Sequence, residues 1–135
     1  MKFLILFSTL ILTLSPSCEK REENKEIEIN YSAQTRGFKY VLHLKNNILK
    51  IDKNNVIKEI TLNKSQYAHI DSLVNKINFN EIENNISIDE LAVDRAIKGI
   101  FTIDLKEKKY EFEFNHQKLP DTIQNLLNQL EGFLN

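Results

Sequence analysis

Apolar and polar residues begin to alternate at Ile27. Ile27, Ile29 and Tyr31 fall on one side of residues 26–31, the period of a strand with one buried face. Residues 32–37 break the pattern and read as a connection. Phe38, Tyr40, Leu42 and Leu44 then line a second strand, and Asn46-Asn47 is a turn signal. Residues 48–51 form a short strand and 52–55 a turn. Residues 56–62 are a further strand with Ile60 and Leu62 in phase. The period then lengthens. Tyr67, Ile70, Leu73, Val74 and Ile77 are spaced for one face of a helix. Asn63 precedes it as a cap, and Gln66 completes a capping-box pattern. Residues 79–89 are asparagine-rich and irregular, with Phe79, Ile82, Ile86 and Ile88 as tethers to the core. Residues 89–96 suit a short helical turn. Phe101, Ile103 and Leu105 mark a strand over 100–105, and residues 106–109 turn the chain. Tyr110, Phe112 and Phe114 alternate with Glu111 and Glu113 to complete a hairpin with one wet face. Pro120 stands where a first helical residue belongs. Ile123, Leu126, Leu127, Leu130, Phe133 and Leu134 form the stripe of a C-terminal helix.

This order predicts an α+β two-layer sandwich. Its sheet is mostly antiparallel with about five strands, covered by one mid-chain and one C-terminal helix. Residues 26–135 form a single domain, without internal repeats or a linker to a second one. The C-terminal stripe is expected on the sheet face carrying Phe101, Ile103, Phe112 and Phe114.

Ahead of the first strand the pattern is of another kind. After the basic start Met1-Lys2, residues 3–14 are apolar or small all round. A helix that short cannot cross a bilayer core of roughly 30 Å, which needs about 20 residues. A buried helix at the start of a cytosolic domain would show a polar face. Position, length and charge order fit a secretory signal. Ser15-Pro16-Ser17 supplies small residues, and Cys18 follows. It is the only cysteine, so no internal disulfide can form.

This segment resembles a bacterial lipoprotein signal. The resemblance implies that residues 1–17 are removed as a signal peptide and that Cys18 is lipidated on sulfur and on its new N-terminus, palmitate included. Several acyl chains would anchor the mature protein, which would have no transmembrane helix. Pro16 stands where a small residue is usual, a relaxed form similar to that of Bacteroidota lipoproteins. Residues 18–25 are then a charged tether. It is similar to the acidic, lysine-containing export tags that send such lipoproteins to the outer face of the outer membrane; the plain alternative is a solvated linker.

Composition changes this picture little. The formal net charge is −1, and basic stretches such as 106–109 are interleaved with acids, so there is no electrostatic footprint for nucleic acid. With only three glycines and two prolines, the bulk of the chain should fold. The excess of Asn, Lys and Ile reads as codon bias in an AT-rich genome.

Catalytic patterns are weak. His43, His69 and His116 match no metal-ligand spacing. His43 lies opposite the apolar face of its strand and His69 off the apolar stripe of its helix, as structural residues would. Ser65 and Ser72 have no nucleophile-elbow context, and isolated Gly37, Gly99 and Gly132 make no phosphate loop. Neighbouring acids such as Asp89-Glu90 are common on surfaces. Two glycosylation sequons, at Asn63 and Asn85, carry no meaning in a bacterial protein. No cofactor, metal or catalytic residue is expected.

A further resemblance rests on Tyr31-Ser32-Ala33-Gln34-Thr35-Arg36-Gly37-Phe38, which looks like the opening motif of a group of small Bacteroidota lipoproteins. There a Ser-Ala-Gln-Ser-Arg-Gly-like segment joins the first strands. An Asp-Gly-Ala-like segment precedes the penultimate strand, and Phe-Asp-His-Gly precedes the last helix. Here Asp94-Arg95-Ala96 stands for the second and Phe114-Asn115-His116-Gln117 with Pro120 for the third. Arg95, Asn115 and Gln117 replace residues of those patterns. If all three segments occupy connections at strand ends, Arg36, Asp94, Arg95 and His116 could form a binding site on one rim. A structural Arg36–Asp94 ion pair is the plainer expectation, with His116 on the same rim. The expected protein is an outer-membrane lipoprotein with a non-enzymatic domain that binds an envelope protein or an external ligand. A small envelope hydrolase or enzyme inhibitor using Arg36, Asp94 and His116 is the alternative.

Overall fold

The computed structural model describes residues 26–92 and 96–135; Cys18 with the tether, and Asp94 and Arg95, lie outside the described residues. Among the described residues, six strands are formed: β1 (Ile27–Thr35), β2 (Phe38–Lys45), β3 (Ile48–Lys53), β4 (Val56–Thr61), β5 (Lys98–Leu105) and β6 (Lys108–Asn115). The helices are α1 (Lys64–Asn75), the short α2 (Ile88–Ala92) and α3 (Asp121–Gly132), with 3₁₀ turns at Phe79–Glu81 and His116–Lys118. All strand pairs are antiparallel, in the order β4-β3-β2-β1-β5-β6. The architecture is the expected α+β sandwich, with six strands among the described residues where about five were expected.

The alternation read from the sequence sorts the two faces. Tyr31 lies opposite Leu42 on one side and Phe101 on the other, and all three are fully buried. Ile29 sits likewise between Leu44 and Ile103. The opposite face carries Glu28, Asn30, His43 and Lys50, and stays wet.

Turn chemistry sets the register. Asn46-Asn47 and Asn54-Asn55 have positive φ at both central positions, the type I′ geometry that asparagine tolerates and tight hairpins favour. The β1–β2 turn is only Arg36-Gly37, with Gly37 at φ 91°. The expected connection over 32–37 is therefore corrected: residues 32–35 belong to β1. Ala33 is small but apolar, and it keeps the period by being buried between Tyr40 and Gly99.

In α1 the capping box forms as read. Asn63 Oδ1 accepts from Gln66 N, and Gln66 Oε1 accepts from Asn63 N, both at 2.9 Å. Its apolar face buries Ile70 and Val74. Helix α3 buries Ile123, Leu126, Leu127 and Leu130 in the same core. It begins at Asp121, so Pro120 is the cap residue rather than the first helical one. The core includes Phe101, Ile103, Phe112 and Phe114 as expected, but Phe79 takes part of the cover over β6. Its ring stacks on Tyr110 at 5.1 Å and lies 6.5 Å from that of Phe112.

The asparagine-rich connection has a definite task. Asn84 Oδ1 accepts from Glu113 N and Asn85 Oδ1 from Asn115 N, at 2.9 and 2.8 Å. The Asn85 backbone donates to Glu113 O at 3.2 Å. The outer edge of β6 is thereby capped. Among the described residues, no helix is long and apolar enough to cross a membrane.

Candidate functional site

At the end of β6 the chain folds into its last 3₁₀ turn. Asn115 is buried; its side chain accepts from Gln117 N at 3.0 Å, and its backbone is held by Asn85. His116 N donates to Ile97 O at 2.7 Å, tying the turn to the approach of β5. The imidazole thereby comes to rest against Tyr31, Phe38 and Tyr40, with ring centres 5.7, 5.1 and 5.7 Å away.

Tyr31 Oη lies 2.6 Å from His116 Nδ1. Tyr31 is wholly buried, and burial pushes its phenol pKa up, so the hydroxyl keeps its proton. That proton needs an acceptor, and Nδ1 provides one. His116 is then the Nε2–H tautomer, with Nδ1 occupied from behind. The phenol fits because Gly99 lies beneath it: a Cβ there would sit 2.9 Å from Tyr31 Cζ and closer still to the hydroxyl.

Tyr40, across the strand pair from Lys53, carries a second network. Its hydroxyl donates to Glu131 Oε1 at 2.5 Å, and Lys53 Nζ donates to Glu131 Oε2 at 2.6 Å. The Lys53 ammonium also stands 5.2 Å from the centre of the Tyr40 ring. Burial, and then the Glu131 carboxylate, push the Tyr40 pKa up. Burial lowers that of His116, Glu131 pulls it back and Lys53 adds to the lowering. Above these groups opens a cleft of about 390 Å³ between β2, β3 and α3. Leu119 and Leu127 provide apolar wall; Gln124 and Asn128 stand on the α3 side. Among the described residues, the lining includes no serine, threonine or cysteine.

A larger hollow of about 560 Å³ lies at the opposite rim, among Glu26, Glu28, Lys45, Asp104 and Glu107. It is a gap between solvated surface charges, in which Lys45 and Glu28 already pair at 2.9 Å. The smaller cleft has the convergent aromatic and polar groups expected of a site.

Of the expected site residues, His116 lines the cleft. Arg36 is exposed on the β1–β2 turn, at the same rim, two residues from Phe38. It does not line the cleft. Asp94 and Arg95, and with them the Arg36–Asp94 pair, lie outside the described residues. The premise that the motif segments occupy connections is corrected: Ser32–Thr35 and Phe114-Asn115 are strand. His43 lies on the wet face, 3.6 Å from Glu28, and His69 is exposed, with Nε2 3.3 Å from Gln129. Among the described residues, no three His, Cys, Asp or Glu side chains converge to hold a metal.

Sequence reasoning passed over Tyr31, Tyr40, Lys53 and Glu131. A usable signal was present: two inward tyrosines on neighbouring strands bring hydroxyls into a core, and those need partners.

Comparison with protein-family models, with curated proteins and with solved structures finds no match.

Proposed function

We propose that this chain is a lipid-anchored protein of the bacterial envelope whose domain binds a ligand without transforming it, in the cleft beside His116. The observation that carries this reading is the polarity of β1. The chain enters the fold at Ile27, beside the Lys106-Glu107 turn, and the cleft lies at the other end of the strand. Eight steps of about 3.3 Å, from Ile27 to Thr35, separate the two ends by roughly 26 Å. An acylated Cys18 would hold the first end near the membrane and turn the second outward, towards an envelope protein or an external ligand.

Binding is favoured over hydrolysis by the state of the cleft's polar groups. Both Glu131 oxygens are engaged, both tyrosines hold their protons, and His116 Nδ1 is occupied by Tyr31. The rival reading is a hydrolase or enzyme inhibitor, and the neutral His116 at the cleft is the feature that favours it. A hydrolase would lose turnover, not only affinity, in His116→Gln.

The anchor is tested with Cys18→Ser. The variant should accumulate as uncut precursor, held by its apolar leader, and take up no labelled palmitate. Palmitate labelling equal to wild type would overturn the lipoprotein reading.

A further inference from the structure

We infer that the His116 cleft accepts a neutral saccharide, an inference that rests on the binding reading above. A pyranose has C–H faces that sit on flat rings and a rim of hydroxyls that both donate and accept. The cleft has the matching halves. Phe38 and His116 are half-buried, with ring centres 5.1 Å apart at 46°, and supply unsaturated surface. Facing them from α3, Gln124 and Asn128 are exposed amides one helical turn apart. Gln124 Nε2 donates to Asn128 Oδ1 at 3.0 Å, which orients both side chains. That bond leaves Gln124 Oε1 to accept and Asn128 Nδ2 to donate, the pair of roles a hydroxyl needs. The Nε2–H of His116 adds a donor from the opposite wall.

The charges argue against an ionic ligand. Lys53 and Glu131 neutralise each other, and Lys39 is spent on Asp52 at 2.7 Å. An anion would meet the Glu131 carboxylate; a cation would meet two lysines. A ligand with hydroxyls and no charge meets neither cost.

The test uses the purified lipidated protein in a zwitterionic detergent, since glycosidic detergents would compete. Cellobiose, maltotriose, mannobiose and N,N′-diacetylchitobiose are the probes, with trialanine as a carboxylate-bearing comparison, all read by saturation-transfer NMR and calorimetry. At least one saccharide should bind, and Phe38→Ala and Asn128→Ala should each weaken it by about tenfold or more. Asn128 is exposed, so its variant keeps the fold even if Phe38→Ala does not. Saccharide binding that neither variant alters overturns the assignment to this cleft. Binding of trialanine alone, lost in Asn128→Ala, overturns the saccharide and leaves the binding reading standing. Silence from every saccharide probe overturns the saccharide and leaves the binding reading standing.

Discussion

His116 is half-buried, and burial holds its pKa below the ordinary 6.5. The sign of its effect on stability follows from linkage. Above pH 6.5 folded and unfolded chains both keep the ring neutral, and its contribution is complete. As the pH falls below 6.5 the unfolded chain takes the proton first, and stability drops until the folded chain is protonated as well. His116→Gln should therefore flatten the fall in urea midpoint between pH 7 and 5, and the wild-type ring should titrate below 6.5 by NMR. An unchanged slope with an ordinary titration would refute this. Beneath the ring, Gly99→Ala should cost about 1–3 kcal/mol in chemical denaturation, because the buried Tyr31 ring has nowhere to retreat. Adding Tyr31→Phe should recover part of that loss by removing the closest contact, so the two substitutions should be non-additive. Much of this was hidden in the sequence. Tyr31 could be assigned to the buried face of its strand, but its partner His116 lies far along the chain. Contacts of that kind depend on strand order, which hydrophobic period does not contain.

At the scale of elements, the asparagines divide into turn formers and edge covers. Asn46-Asn47 and Asn54-Asn55 were legible because their left-handed backbone is a local property. The Lys106 turn was placed from its neighbours, although lysine at φ 51° gives no such signal. Asn84 and Asn85 read only as an irregular connection, since their role is to bond a strand distant in sequence. Asn85→Ala removes the acceptor for the buried Asn115 N–H and the donor to Lys118 O at 2.6 Å. It should destabilise the domain by about 1–3 kcal/mol. Hydrogen exchange at the Asn115 amide should accelerate more than at amides of the β1–β2 pair; equal acceleration everywhere would mean only a global loss. The boundary of β1 was missed for a different reason. Ser32, Gln34 and Thr35 are ordinary turn or surface residues, and the one apolar residue among them, Ala33, is too small to announce a buried position.

For the whole molecule, the two-layer class was readable because each amphipathic element needs a covering partner. The end-to-end arrangement was not, since it depends on which rim each turn joins. It makes the proposed orientation measurable. Fluorophores on Glu107→Cys and Arg36→Cys, exposed turn positions at opposite rims, should differ in lipidated protein on vesicles. A headgroup quencher should dim the Glu107 label strongly and the Arg36 label little; equal quenching would mean the domain lies flat. The central place of β1 has one more consequence, for the order of assembly. Synthesis delivers β1 first, and β2, β3 and β4 can add to it in sequence, each across a tight turn. Its other side is claimed only by β5, after α1 and α2 have been made. Until then the strand bearing Ile29 and Tyr31 is an open margin, available to any extended segment that reaches it. A nascent chain halted before Lys98 exposes one edge of a strand that the finished protein pairs on both sides.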